Sequence, residues 1–220
     1  MIMFRLKAIH DLTVPLETYM PLWPTNPLLE IKPIGTVARD GYKIEMMSGV
    51  THSGTHIDAP AHMIEDGSTI DEIDPNRFVG TGYCLKIIPD GHHIRSTHLL
   101  EKWRDEYDGS IILLETGWYK KRGFTREFQY EFPGLTEDAA EFLIERKVKL
   151  IGIDTLGIEP YEGTDFRVHK KLLSKGIPFI EDLYGLDDLE EGKPYFIVAL
   201  PLKIRGASGS MARVIALEVD

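Results

Sequence analysis

Short apolar runs at residues 83–88, 111–114, 150–153, 177–180 and 195–200 constrain this chain more than any other feature. They contain β-branched residues, are flanked by Gly or Pro, and have the length of strands rather than helices. Between several of them the apolar spacing turns helical. "STHLLEKWRDEY", residues 96–107, sets Leu99, Leu100, Trp103 and Tyr107 at helical intervals. "TEDAAEFLIERKVK", residues 136–149, offers Thr136 as an N-cap, with only a partial capping box because Ala139 stands where Glu would be ideal. Glu137 and Asp138 fill its predicted first turn, and Arg146, Lys147 and Lys149 its last. "RVHKKLLSKG", residues 167–176, ends on Gly176 as a C-cap. Strands alternating with helices predict α/β layering with some parallel pairing in the second half, and a more purely β first half.

Residues 12–33 hold Pro15, Pro21, Pro24, Pro27 and Pro33, which block regular structure and predict an ordered, irregular arm crossing the surface. No repeat, low-complexity tract or Ser/Gly linker divides the chain, so residues 1–220 read as one domain, and 43% hydrophobic content is enough for a substantial core. The 35 acidic and 25 basic residues give a net charge of -10, and no extended Lys/Arg cluster stands out, which argues against nucleic acid as a partner. Cys84 is the only cysteine, which excludes an intramolecular disulfide and a cysteine-rich zinc site; within its apolar run it reads as a small buried hydrophobe. The N-terminal "MIMFRLKAIHDLT" lacks the pattern of a signal peptide, and no stretch approaches about 18 uninterrupted apolar residues. A soluble cytoplasmic protein with no membrane partner is the expectation.

Residues 51–63, "THSGTHIDAPAHM", contain three of the eight histidines together with an aspartate. His52 and His56 are four apart, yet Gly54, the β-branched Thr55 and Ile57, and Pro60 oppose a helix. A bent strand or ordered turn fits better, with Gly54 allowing the bend, and the even spacing of His52, His56, Asp58 and His62 puts their side chains on one face of an extended chain. Any one of these histidines alone would read as a surface or hydrogen-bonded group. Neutral imidazoles and a carboxylate gathered in one segment are natural ligands for a divalent ion, and a carboxylate can bridge two ions where an imidazole cannot.

The segment from His52 to His62 matches H-x-G-T-H-x-D-x-P-x-H at every fixed position, and so resembles the cyclase family of metal-dependent hydrolases, which includes kynurenine formamidases and isatin hydrolase-like enzymes. "DLTVPLETYMPLWPTNP", "GIDTLGIEP", "HKKLLSKGIPFIEDL" and "FIVALPLKIRGASGSMARVIAL" extend the resemblance over nearly the whole chain. It implies a three-layer β/β/α swivelling domain with a mixed sheet. It further implies that His52, His56 and Asp58 hold one divalent metal, that Asp58 bridges to a second held by His169 and Glu181, and that His62 donates and accepts the proton. Trp23 would line the substrate pocket. Zn²⁺ is the first expectation and Mn²⁺ the second, with one or two ions per chain. The implied reaction is hydrolysis of an amide C–N bond, in an aryl formamide such as N-formylkynurenine, in a homodimer or homotetramer. A lactam, cyclic imide or ester remains open as substrate, because the motif specifies metal and water rather than the acyl group. A metal-binding protein without turnover is the non-enzymatic alternative, against which His62 counts, since the ligand set does not need it.

The chain departs from the resemblance at Gly157 and Glu159, where a Ser-x-Asp is common, and at Met211, where proline is frequent. Without the resemblance, Glu181 reads as a solvated loop acid beside Asp182, and Trp23 as an anchor for the arm. His92 and His93 follow a "PDG" turn signal and read as exposed, His98 as solvated on a helix, and His10 beside Asp11 as structural. Glu115 and Thr116, after "IILL", could border the site.

Overall fold

The computed structural model describes residues 5–162 and 165–219. Residues 1–4, part of the N-terminal segment weighed above, lie outside them. The strands are β1 (Leu6–Asp11), β2 (Glu30–Gly35), β3 (Ile44–Ser48), β4 (His56–Asp58), β5 (Val79–Lys86), β6 (His93–Ile94), β7 (Ile111–Glu115), β8 (Gly134–Leu135), β9 (Leu150–Ile153), β10 (Phe179–Glu181), β11 (Tyr195–Pro201) and β12 (Gly209–Val219). The helices are α1 (Val37–Asp40), α2 (Ser96–Leu100), α3 (Arg126–Tyr130), α4 (Glu137–Glu145) and α5 (Arg167–Ser174).

Eight strands form one mixed sheet in the order β1-β12-β11-β5-β7-β9-β10-β4, and β4 also pairs with β12, so the sheet closes on itself. Strands β5, β7, β9 and β10 run parallel to their neighbours in that series, whereas β11, β12, β1 and β4 pair antiparallel. The parallel strands are apolar through their buried centres, Tyr83–Leu85, Ile111–Leu114, Leu150–Ile153 and Phe179–Ile180, because both faces are covered there. One face carries Leu85, Ile112, Leu114, Ile151 and Ile153 against Leu99 of α2, Leu143 of α4 and Leu172 of α5. The other carries Cys84, Ile111, Leu113 and Leu150 against Ile197, Ala199, Val214 and Ala216 of the antiparallel strands. Helices, parallel strands and antiparallel strands thus stack as a mixed α/β fold, as the resemblance implies.

Several elements differ from the sequence-based expectation. The helix expected over 96–107 stops at Leu100, because Trp103 turns aside to meet Phe142 edge-on, at 5.0 Å between ring centroids, and donates from Nε1 to Asp108 Oδ1 at 2.9 Å. Helix α4 ends at Glu145, so Arg146, Lys147 and Lys149 lie beyond it. The Thr136 hydroxyl makes no cap and donates instead to the Ile94 carbonyl, 3.0 Å away. Gly176, at φ +66°, does close the α5 end. The proline-rich arm is more than a surface crossing: Leu12, Val14, Met20, Leu22 and Leu29 are buried, and Pro33 lies within β2 of the separate β2–β3 hairpin. Cys84 is a buried free thiol whose pKa burial raises. His93 sits half-buried in β6 and His92 beside it is half-buried too, not exposed. His98 accepts the Arg95 N–H at 2.9 Å, so it caps α2 rather than merely facing solvent. His10 packs edge-on against Tyr195. Among the described residues no helix is long and apolar enough to cross a membrane.

Candidate metal centre and active site

Strand β4 is wedged between β10 and β12, with Ile57 pointing into the apolar interior and His56 and Asp58 to the other face. The even-spacing rule holds only within this strand. His52 precedes a turn at Gly54, which has φ +61°, and His62 follows in the 3-10 turn Pro60–His62, so the bend, not a single extended face, collects the four groups. The turn is pinned by Thr55, whose hydroxyl donates to the Asp182 carbonyl at 2.6 Å and accepts from the Val14 N–H at 2.9 Å. Close packing adds a second requirement at Gly209 of β12: a Cβ there would lie 2.5 Å from His52 Cε1.

The candidate ligands converge. His52 Nδ1 is 2.7 Å and His56 Nε2 3.3 Å from Asp58 Oδ1. His56 Nε2 is also 3.5 Å from Glu181 Oε2, and His169 Nε2 is 3.4 Å from Glu181 Oε1. Two trios result, His52, His56, Asp58 and Asp58, His169, Glu181, with the ligand atoms in each trio within 4.8 Å of one another and Asp58 common to both. Glu181 is therefore a buried group at the C-terminal end of β10, not a solvated loop acid. His62 Nε2 lies 3.6 Å from Asp58 Oδ2, outside both trios and facing the pocket.

Further groups orient the inner ones. His56 Nδ1 donates to the Gly54 carbonyl at 2.7 Å, which leaves Nε2 free to face the carboxylates. His52 Nε2 meets Ser208 Oγ at 3.1 Å, and Glu181 Oε1 accepts from the Ile158 N–H at 2.7 Å. His169 Nδ1 donates to Glu159 Oε1, and the same carboxylate accepts the N–H groups of Val168 at 3.2 Å and His169 at 3.1 Å. Glu159 was not among the site residues expected from the sequence. Its only signal was the departure from Ser-x-Asp, where a carboxylate is kept but lengthened. Gly157, the other departure, leaves room for the Trp23 ring, 3.0 Å from where its Cβ would stand. Met211 pairs with His56 across β12 and β4.

Burial alone would raise the Asp58 pKa, yet the hydrogen bonds from His52 and His56 hold it well below the usual carboxylate range. Burial likewise opposes protonation of His169, but Glu159 and Glu181 outweigh it and raise that imidazole to about 10. Around His56 the same contest, with Asp58 and Glu181 opposing burial, ends in a raised value. Three buried carboxylates, Asp58, Glu159 and Glu181, thus draw positive charge into this cluster, and a divalent ion on imidazole and carboxylate donors satisfies that demand. His62 goes the other way: burial lowers its pKa more than Asp58 raises it, so the ring is neutral near neutral pH.

The cluster opens into a pocket bordered by Leu22, Trp23, Asn26, Val50, Met63 and Phe166. Trp23 is held by rings, with centroids 5.0 Å from Tyr161, 5.9 Å from Phe132 and 6.2 Å from Phe166, so it is both an anchor of the arm and a pocket wall. Glu115 and Thr116 do not border it. Glu115 pairs with Lys86 at 3.2 Å, and Thr116 donates to Asp154, tying the ends of β7 and β9 together.

Buried imidazoles and carboxylates at the foot of an aromatic pocket define a candidate metal centre with room for a small organic molecule. Residues 10–160 match the family model described as putative cyclase. A kynurenine formamidase from Bacillus cereus is 30% identical over 207 residues, covering 93% of this chain and 95% of that protein. Isatin hydrolase A from Labrenzia aggregata, solved with benzyl benzoate, is 26% identical with a TM-score of 0.86, over 99% of this chain and 94% of that one. A Bacillus stearothermophilus structure described as a "predicted metal-dependent hydrolase" is 30% identical with a TM-score of 0.79, over 98% and 99% of the two chains. The chain belongs to the cyclase family of metal-dependent hydrolases.

Proposed function

We propose that this enzyme hydrolyses the amide C–N bond of an aryl formamide of the N-formylkynurenine type. The observation that carries the reading is the pair of ligand trios sharing Asp58 directly beneath a pocket walled by Trp23 and Phe166. In this reading His52, His56 and Asp58 hold one divalent ion, and Asp58, His169 and Glu181 a second where two are bound, zinc before manganese. Such an ion supplies Lewis acidity and brings the pKa of water from about 15.7 towards about 7. His62, neutral and at the pocket edge, accepts a proton from the attacking water and returns it to the departing amine. Trp23 and Phe166 hold the aryl ring by face and edge contacts. The formamidase names among the relatives support the formamide, and the likeness to isatin hydrolase supports a lactam as the second reading. The proposal extends to a single catalytic unit over residues 1–220, a cytoplasmic location, and a homodimer or homotetramer. The last is supported by the exposed Ile44, Met46 and Met47 along β3.

The test compares rates on formanilides, isatin, a cyclic imide and an aryl ester, before and after chelation and on return of Zn²⁺ or Mn²⁺. Metal-dependent turnover with formanilides fastest is expected. Uniform inactivity, with one or two equivalents of metal bound, would leave a metal-binding protein instead.

A further inference from the structure

Arg122 belongs to neither ligand trio and does not border the pocket, yet it ties together two segments that do. Its side chain is only 14% exposed. Nη2 pairs with Asp182 Oδ1, Nη1 donates to the Pro21 carbonyl at 3.2 Å, and the guanidinium stands 5.1 Å from the centre of the Phe128 ring. Asp182 directly follows Glu181, lines the pocket, and is fixed by its own backbone: its N–H donates to the Thr155 carbonyl at 2.8 Å and its carbonyl accepts from Thr55. Pro21 directly precedes Leu22 and Trp23.

The arm needs such a tie. Pro21 and Pro24 supply no N–H, and the backbone bonds of Met20 and Asn26 run to Glu17 and Trp23 within the arm itself. At the Trp23 end of the arm the carbonyls of Pro21 and Leu22 are taken from outside by two side chains of the segment 118–130: Arg122 at Pro21, and Gln129 Nε2 at Leu22, 3.2 Å away. The planar guanidinium suits this position because Nη1 and Nη2 serve a carbonyl and a carboxylate from one rigid plane, where an ammonium would have to serve both from a single nitrogen on a flexible stem.

We propose that Arg122 is a positioning residue that clamps the Trp23-bearing arm against the loop after β10, and so sets the affinity of the pocket for an aromatic substrate. It rests on the hydrolase reading only in that affinity is read through turnover. The clamp acts on substrate binding and leaves the metal donors in place.

Arg122→Met alone strands the buried Asp182 carboxylate and risks misfolding, so the double variant Arg122→Met/Asp182→Asn and the single Arg122→Lys are made beside it. For the double variant the expected result is a KM for a formanilide raised about tenfold or more, with kcat within about threefold and metal equivalents per chain equal to wild type. Amide hydrogen exchange should quicken across residues 20–26 and nowhere near β4 or β10. Arg122→Lys, keeping the charge but not the fork, should fall between the two in KM. Wild-type KM and wild-type exchange in a folded double variant would overturn the clamp, as would a loss confined to kcat and metal content. Should wild type turn over no member of the panel, the functional reading fails while the exchange data still decide whether Arg122 holds the arm.

Discussion

His62 and Glu159 show how much a single side chain's surroundings decide. His62 shares the turn Pro60–His62 and stands beside Asp58 without entering either trio. His62→Ala should therefore bind metal as wild type does, while kcat falls by about 10² to 10⁴; elemental analysis and initial rates on one sample test both halves, and an unchanged rate would remove His62 from the mechanism. Glu159 caps the start of α5 and holds His169 by Nδ1, so that Nε2 faces Glu181. For Glu159→Ala a loss of metal affinity of about 10- to 100-fold is expected, measured by competition with a chromophoric chelator. That His52, His56, Asp58 and His62 gather was legible because four polar groups of ligand type sit in one short segment. Glu159 was not, since a lone acid in a loop carries no mark of the histidine ten residues on.

Among the elements, the apolar runs of the parallel strands were readable because burial on both faces leaves their central positions apolar, as Ile111 to Leu114 of β7 demonstrate. Leu113→Ala, which empties space between β7 and the antiparallel strands, should cost about 2–5 kcal/mol in denaturant unfolding. The helix over 96–107 was over-read because its spacing is helical while tertiary packing overrides it: the helix ends at Leu100 and Trp103 docks on Phe142. At the junction of β12 with β4, a substitution of Gly209 by Val would drive a side chain into His52 and the Ile57 carbonyl. Metal stoichiometry and turnover should both drop in that variant; full metal occupancy with wild-type turnover would show that the close packing at Gly209 is not needed to place His52.

Among the described residues two short ribbons, β2–β3 and β6–β8, stand outside the closed sheet. The β2–β3 hairpin exposes Ile34, Tyr42, Ile44, Met46 and Met47, and a two-stranded ribbon alone is marginal in water. If a second copy covers it, Met46→Lys should weaken self-association about tenfold or more, seen as a shift to lower mass in light scattering at micromolar concentration. Wild-type mass at every concentration would place the interface elsewhere. The sequence by itself determined the chemistry and the local geometry available: which residues can ligate a metal, where the chain must bend, and which segments are strands buried on both faces. These follow from residue type and periodicity, which act over a few positions. Tertiary structure decided that β4 sits between β10 and β12, at what distances Glu181 and His169 meet Asp58, a convergence the family resemblance had implied, and that Glu159 and Arg122 stand behind them. Those distances depend on the closure of an eight-stranded sheet by pairings far apart in the chain, which no local pattern encodes.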